Sequence, residues 1–237
     1  MLILAIDSTA KEASAAIYRD GSVIGEINLR SGNTHSEQLL PAVDFLLRAS
    51  GLTPADADVF ACAAGPGSFT GVRIGAATVK GLAFGRGKCC AAVSTLEALA
   101  ENVRGLGGVA CAVMDARRGQ VYTATFDCRG GEPLRLTEDD AMSVTELGEK
   151  LASLDLDCPI YLVGDGYDVA FPRLSGVLSI LAVTPPPLRT HSAASVASVA
   201  ERMAAHGELV DDVSLSPSYL RLSQAEREYN EKNGIKE

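Results

Sequence analysis

The sequence has few residues of the kinds that bind transition metals. Its 237 residues include only His35, His191 and His206, and its six cysteines form no Cys-x-x-Cys pair. Because zinc sites draw on closely spaced cysteines and histidines, this pattern excludes a zinc motif of that kind. Most cysteines lie in apolar, strand-like runs, so we expect buried, reduced thiols.

Long hydrophobic runs are also absent. No apolar run reaches the roughly 18 residues that a membrane span requires. The apolar residues 2–6 follow no basic residues and are too short for the core of a signal peptide. We therefore expect a cytoplasmic protein without membrane contact.

Positive charge is scarce. The chain has 21 Lys and Arg residues against 30 Asp and Glu residues, which gives a net charge of −9. Nucleic-acid backbones are bound largely through Lys and Arg, with release of counterions. An acidic chain is a poor solitary RNA binder, so a role on RNA would need a partner that supplies the basic surface.

Apolar residues make up 47% of the chain, enough for one large folded domain or two small ones. Strand-like runs flank Asp20-Gly21, a dipeptide typical of hairpins. A Thr34 and Glu37 capping box begins a helix, in which Pro41 predicts either a kink or a later start near Gln38. The predicted strands of the first half are 2–6, 13–18, 23–29, 59–64 and 90–93, and its helices are 34–47, 72–84 and 95–102.

The second half repeats this order more loosely, beginning with a hairpin around Arg118-Gly119. Its predicted strands are 109–114, 120–126, 134–137, 160–163 and 180–183, and its helices are 144–154 and 192–206. Two β-β-β-α-β-α units predict a duplicated α/β fold of two lobes, each with a mixed sheet flanked by helices. We assign residues 1–104 to an N-terminal, partner-binding lobe, 105–221 to a C-terminal lobe and 222–237 to a charged, frayed tail.

The loop at residues 65–71, with sequence GPGSFTG, lies between a predicted strand and helix, where backbone N–H groups can bind an anion. It is not a Walker A loop, because no Gly-Lys-Ser/Thr follows. It is not a clean dinucleotide fingerprint either, because Thr70 takes the place of the third glycine. The residues leave a tight structural turn and a ligand contact open.

Two glycines, Gly75 and Gly81, fall inside the helix that follows this loop. Each costs about 1 kcal/mol relative to alanine in a helix interior. Small residues there, with Ala76 and Ala77, allow another backbone to come close. That backbone is either the chain's own sheet or a helix of another chain.

Two polar segments follow predicted strands and are candidates for cofactor binding. Asp7, Ser8 and Thr9 suit a nucleotide phosphate or its magnesium ion, and equally a turn with a helix cap. Gly164 and Gly166 flank Asp165 after a later strand, where a plain turn is the simpler interpretation. No histidine lies near a candidate nucleophile in the sequence, so we predict no catalytic residues.

Several of these segments together resemble the TsaB (YeaZ) family of the actin-like ATPase superfamily. The matching motifs are IDST at 6–9, HSEQLLP at 35–41, AGPGSFTGVRIG at 64–75, KGLA at 80–83, MDARRGQVY at 114–122 and PSYLR at 217–221. The resemblance spans nearly the whole chain, and the stretch at 65–75 is highly specific.

The resemblance implies an actin-like fold and a place in the bacterial complex that forms N6-threonylcarbamoyladenosine next to the tRNA anticodon. It implies a non-catalytic subunit that forms a heterodimer with the catalytic paralogue TsaD, joined by the ATPase TsaE. The isolated chain would form a homodimer through the same surface, and tRNA would be met only through the complex. The chain alone would require no cofactor, while ATP or ADP can bind in the complex.

The catalytic paralogue carries a His-x-x-x-His metal motif after its fifth strand. In this sequence Thr95 and Leu99 fall where those histidines would be. Neither residue can replace imidazole as a metal ligand. The resemblance therefore implies no metal site in this chain.

The resemblance places the partner surface on two helices of the first lobe, where apolar side chains supply area and small ones permit close approach. On this view Gly75→Leu should abolish formation of the heterodimer and leave the monomer folded. The predicted interface residues are His35, Leu39, Val43, Leu46, Gly71, Arg73, Gly75, Ala76, Val79 and Leu82.

Two other functions stay open at this stage. One is an actin-like nucleotide hydrolase or phosphotransferase that acts alone through Asp7, which the fold supports only by analogy. The other is a metallopeptidase, which the missing histidines disfavour.

Overall fold

The computed structural model of the chain describes residues 1–221, together with residues 229 and 232. Its first sheet contains β1 (Leu2–Asp7), β2 (Ala13–Arg19), β3 (Ser22–Leu29), β4 (Val59–Gly65) and β5 (Cys89–Ser94). Strands β1 to β3 form an antiparallel meander, while β4 pairs in parallel with β1 and β5 with β4. The order across the sheet is β3-β2-β1-β4-β5.

The helices of the first half are α1 (His35–Ala49), α2 (Phe69–Ala83) and α3 (Thr95–Glu101). Glu37 accepts hydrogen bonds from the N–H and the hydroxyl of Thr34, at 3.1 and 2.8 Å, so the capping box is confirmed. The helix runs through Pro41, and the alternative start near Gln38 is wrong. Helix α2 begins three residues before the predicted position, because Ser68 caps it.

The second sheet contains β6 (Val109–Asp115), β7 (Gln120–Asp127), β8 (Leu134–Arg135), β9 (Asp140–Ser143), β10 (Ile160–Val163) and β11 (Leu181–Ala182). Its order is β11-β10-β6-β7-β8, and β9 also pairs with β7. The helices of the second half are α4 (Val144–Ser153), α5 (Tyr167–Leu174) and α6 (Ala193–His206). Short 3₁₀ turns lie at Pro54–Asp56, before β4, and at Pro186–Arg189, before α6. This sheet repeats the first one: β6, β7, β10 and β11 occupy the places of β1, β2, β4 and β5.

Each half of the chain contributes one helix that packs against the sheet of the other half. Leu96 and Leu99 of α3 pack against Ala112 and Phe126 of the second sheet. In return, α6 covers one face of the first sheet, where Val196 joins a buried cluster. The chain after α6 also stays on the first lobe, because Val210 bridges to β5 and the N–H of Ser218 donates to the carbonyl of Ala64 at 2.7 Å.

The opposite face of the first sheet is covered by α1 and α2. Leu39, Val43 and Leu46 of α1 and Val79 of α2 are buried there in one cluster with residues of β1 and β2. Helical spacing therefore predicted the apolar face of α1 correctly, and the chain's own sheet covers that face.

The structure tests two further predictions, one on the first hairpin and one on the cysteines. Asp20 and Gly21 have φ angles of 48° and 77°, as a tight hairpin turn requires, so the β2–β3 hairpin is confirmed. All the cysteines are free thiols, but Cys89 is exposed, so the prediction of buried thiols is wrong for that residue. Burial raises the pKa of Cys62 to about 12.

None of the helices in the described part of the chain is long and apolar enough to cross a membrane. The predicted frayed tail, residues 222–237, lies outside the described residues apart from Tyr229 and Lys232.

Candidate functional site

The carboxylate of Asp7, at the end of β1, is buried and fully engaged by the chain's own groups. Its Oδ1 accepts hydrogen bonds from the N–H and the hydroxyl of Thr9, at 2.8 and 2.6 Å. Its Oδ2 lies 3.2 Å from Nδ1 of His191, and each of these two side chains is only 1% exposed. Both oxygens of Asp7 are therefore occupied.

His191 lies 184 residues after Asp7 in the chain, between the second 3₁₀ turn and α6. Burial alone would lower its pKa, but the negative charge of Asp7, their hydrogen bond and the charges of Asp165 and Glu12 raise the pKa above its ordinary 6.5. Burial would likewise raise the pKa of Asp7, yet His191 and Thr9 hold it below its ordinary 3.8. Both pKa shifts therefore favour the charged forms of the two residues, which make a buried ion pair.

The glycine-rich loop packs directly on the residues after β1. The hydroxyl of Ser8 donates to the carbonyl of Gly71 at 2.8 Å. A Cβ added at Gly71 would lie 1.9 Å from the carbonyl oxygen of Ser8, and one at Gly67 would lie 2.6 Å from that of Thr9. Since real Cβ atoms do not approach so closely, both glycines are explained by packing inside the chain.

The segment after β10 is also shaped by close packing. Gly164 has a φ of 111°, and a Cβ there would lie 2.2 Å from the carbonyl oxygen of Val113. The N–H of Gly166 donates to the same carbonyl at 3.1 Å. Asp165 accepts a hydrogen bond from the N–H of Asp115 at 3.2 Å, and burial raises its pKa. The two predicted cofactor segments are thus brought together around His191, whose charge acts on both Asp7 and Asp165.

The positions that correspond to the metal motif lie inside the fold. Thr95 and Leu99 stand on α3, are 0% and 2% exposed, and Leu99 packs on the second sheet. Within residues 1–221, 229 and 232, no group of three His, Cys, Asp or Glu side chains is placed to share a metal ion.

Most residues predicted for the partner interface are buried within the first lobe itself. They are Leu39, Val43, Leu46, Gly71, Gly75, Ala76 and Val79. A Cβ at Gly75 would lie 2.8 Å from Oγ of Ser8, so Gly75→Leu would disturb the monomer, contrary to the expectation from the sequence. Of the remaining predicted residues, Arg73 is exposed, while His35 and Leu82 are half-buried.

The outward sides of α1 and α2 carry other apolar residues. Leu40, Phe45 and Phe84 are 54%, 63% and 75% exposed. A groove of about 520 Å³ lies between the helices, and a Cβ at Gly81 on its wall would meet no atom within 4 Å. Gly81, unlike Gly75, is therefore not explained by packing inside the chain. We call the apolar surface around this groove the α1–α2 face, formed by Leu40, Ile74, Ala77, Gly81 and Leu82, with the exposed Phe84 three residues after Gly81.

A cluster that the sequence did not predict joins the start of α2 to the C-terminal segment. The ring of Tyr219 stacks on that of Phe69 with centroids 4.5 Å apart. The guanidinium of Arg73 lies 4.0 Å from the centroid of Phe69, and its Nε donates to the hydroxyl of Tyr219 at 2.9 Å. Residues 69 and 219 belong to two of the family motifs, which was the only signal of this contact in the sequence.

Comparison with known proteins places this architecture among related sequences. The family model described as TsaD, tRNA N6-adenosine threonylcarbamoyltransferase, matches residues 23–229. The tRNA threonylcarbamoyladenosine biosynthesis protein TsaB of Bacillus subtilis (strain 168) is 32% identical over 98% of this chain and 99% of its own length. The protein of the same name from Escherichia coli (strain K12) is 33% identical over 93% of this chain and 95% of its own.

The solved structures agree with these sequence matches. A Pseudomonas aeruginosa protein described as similar to the peptidase YeaZ has 27% identity and a TM-score of 0.79, covering 93% of this chain and 99% of that one. With the two mixed sheets and their flanking helices, this similarity confirms the predicted actin-like, duplicated fold.

Proposed function

Because this chain belongs to the TsaB (YeaZ) family, we propose that it is a non-catalytic subunit of the complex that forms N6-threonylcarbamoyladenosine in tRNA. In this role it binds a catalytic paralogue of the TsaD type, and a TsaE-type ATPase joins the assembly. The isolated chain pairs with a second copy through the same surface. Any ATP or ADP in the complex is held outside this chain's own Asp7 site.

The observation that carries the proposal is the α1–α2 face. Large apolar side chains of a monomer are rarely left together in water, and a contiguous patch of them marks an interaction surface. Leu40 lines the groove and is 54% exposed, and Phe84, at the end of α2, is 75% exposed. Ala77 and Gly81 also line the groove, and their small size leaves room for a partner to approach the backbone of α2 closely.

The shape of this face suits a pair of helices from a related chain. Helices pack with their axes about 8–10 Å apart, and small residues at the contact allow the shorter distances. A partner with the same two helices would bring a matching groove, as in an interface related by two-fold or pseudo-two-fold symmetry. Charged groups, including Asp44, Arg48 and Arg73, would form the polar rim that such interfaces have.

The non-catalytic part of the proposal is supported by the state of Asp7. A carboxylate that holds a magnesium ion needs an oxygen atom available for it. Both oxygens of Asp7 already accept hydrogen bonds from Thr9 or face His191. The residues present therefore do not fit a magnesium–nucleotide complex at this position, and we derive no catalytic step through one.

Co-purification with the catalytic paralogue of the same organism tests the proposed interface. Ala77→Arg places a charge in the middle of the α1–α2 face, on a helix surface that tolerates arginine well. Burying that charge against an apolar partner should weaken the complex at least ~100-fold, so that no 1:1 species survives size-exclusion chromatography. The control Val177→Arg changes a residue of the second lobe that is 74% exposed, and it should co-elute like the wild type.

Two results would refute the proposed interface. One is a wild-type chain that forms no complex with the paralogue. The other is an Ala77→Arg chain that elutes with the paralogue as the wild type does. Circular dichroism of the isolated variants, which we expect to match the wild type, separates loss of binding from loss of folding.

A further inference from the structure

We propose that four arginines around the β6–β7 turn form a surface that binds the phosphate backbone of tRNA. We call Arg117, Arg118, Arg173 and Arg221 the arginine cluster. The identity of the RNA rests on the proposed function, while the existence of a phosphate-binding surface rests on the geometry of the cluster.

The turn between β6 and β7 carries two of the four arginines. Arg117 and Arg118 have φ angles of 64° and 54°, and Gly119 follows with 73°. Both arginines are exposed. A Cβ added at Gly119 would lie 3.4 Å from Nη1 of Arg173, so the guanidinium from α5 reaches this turn.

The C-terminal segment brings Arg221 to the same hairpin. Nη2 of Arg221 donates to Oε1 of Gln120 at 2.7 Å, and its Cζ lies 5.6 Å from the ring of Tyr122. The same segment is tied to the first lobe through Ser218 and Tyr219. The cluster therefore lies where the second lobe meets a segment anchored on the first.

The charge of the cluster is not neutralised. Arg48, Arg129, Arg135 and Arg202 each form an ion pair with a carboxylate. Among the residues that the structure describes, none of the four arginines of the cluster has such a partner. The acidic residue of the turn itself, Asp115, accepts a hydrogen bond from the backbone N–H of its neighbour Arg117, at 2.8 Å.

The contacts that hold Arg221 leave its positive charge in place. Gln120 and Tyr122 are neutral groups, so they fix a guanidinium without cancelling it. Guanidinium groups donate two parallel hydrogen bonds to a phosphate, which makes arginine a preferred ligand for nucleic-acid backbones.

An RNA partner fits this surface better than an acidic protein does. The α1–α2 face already provides an apolar surface for the protein partner. A chain with a net charge of −9 repels RNA as a whole, so any contact with RNA has to be made by a local group of positive residues such as this one. The cluster would extend the basic surface of the catalytic subunit and would bind RNA only weakly in the isolated chain.

The test compares two double variants that change the net charge equally. Arg118→Gln with Arg221→Gln removes half of the cluster. Arg19→Gln with Arg129→Gln removes two exposed arginines outside the cluster and serves as the control. Each is assembled with the catalytic subunit and titrated into a fluorescein-labelled tRNA transcript that has an unmodified adenosine next to its anticodon. Fluorescence anisotropy gives the Kd at several salt concentrations.

We expect the cluster variant to bind tRNA about ten-fold more weakly at low salt, and the control within about two-fold of the wild type. The slope of log K against log salt should become shallower by about 1–2, because each lost phosphate contact removes about 0.7–0.9 from it. An unchanged Kd and slope in the cluster variant would overturn the proposal.

Size-exclusion chromatography of the same samples separates the other outcomes. If the cluster variant loses the catalytic subunit together with tRNA, the surface binds a protein and the RNA proposal is overturned. If the wild type itself forms no complex, the proposed function fails. The titration is then made with the isolated chain at low ionic strength, where the same order of affinities is expected and equal affinities would again refute the RNA surface.

Discussion

Asp7 and His191 form a buried ion pair that joins the end of β1 to the segment leading into α6. Their facing atoms are 3.2 Å apart, and neither side chain is more than 1% exposed. The contact joins two residues that are 184 positions apart in the sequence. It also engages the carboxylate that the sequence offered as a nucleotide or magnesium ligand.

The pair gives folding a pH dependence of defined sign. The pKa of His191 is raised in the folded chain, so its contribution is fully present below its ordinary value of 6.5 and is lost as the pH rises through the folded pKa. The pKa of Asp7 is lowered, so its contribution is present above 3.8 and is lost as the pH falls through the folded value. The stabilisation by the pair is therefore complete between these two ordinary values.

We expect His191→Gln to lower the free energy of unfolding by about 3 kcal/mol near pH 6, because it leaves the buried carboxylate of Asp7 without its cation. The difference from the wild type should shrink as the pH rises through the raised pKa of His191. Urea denaturation at a series of pH values measures it. His206→Gln, at an exposed position, is the control, and a loss for His191→Gln that stays constant with pH would contradict the ion pair.

Two glycines of the first lobe should respond oppositely to alanine. At Gly71 the added methyl would lie 1.9 Å from the backbone oxygen of Ser8, and the backbone would have to move, so we expect a loss of about 2–3 kcal/mol. At Gly81 the methyl meets nothing, and alanine should stabilise the helix by up to ~1 kcal/mol. Thermal unfolding of the purified variants measures both, and a stable Gly71→Ala chain would count against the packing described for the loop.

The ion pairs between α3 and α6 give a third prediction. Arg202 of α6 pairs with Glu97 and Glu101 of α3, and the side chain of Glu101 is only 4% exposed. Arg202→Met leaves that buried carboxylate without its partner and should lower the free energy of unfolding by about 3 kcal/mol. Arg48→Met removes an exposed pair with Asp44 and should change it by no more than ~1 kcal/mol. Equal effects in urea denaturation would contradict the role of this pair between the lobes.

Local sequence signals predicted much of the fold. Asp20-Gly21 located the first hairpin, and Thr34 with Glu37 located the start of α1. Two short elements were missed. Helix α5 contains Pro172 and follows a Gly-Asp-Gly turn, which hides its helical period, and β9 has only four residues. Elements this short depend on tertiary contacts more than on their own composition.

The candidate site was harder to predict, for two physical reasons. Periodicity shows that Leu39, Val43 and Leu46 share one face of α1, but it cannot show whether a sheet or another chain covers that face. Spacing likewise says nothing about contacts between distant residues, such as Asp7 with His191. In the same helix, Gly75 packs on Ser8 while Gly81 faces open space, a difference that only the structure reveals.

The most direct measurement is the formation of threonylcarbamoyladenosine on an unmodified tRNA in a reconstituted reaction. The reaction contains the catalytic paralogue, the TsaE-type ATPase and a supply of the threonylcarbamoyl donor, and this chain is omitted, added as wild type, or added as Ala77→Arg or Val177→Arg. We expect modification only with the wild type and Val177→Arg, and none by the chain without the paralogue. Modification by this chain alone, or full activity with Ala77→Arg, would contradict it.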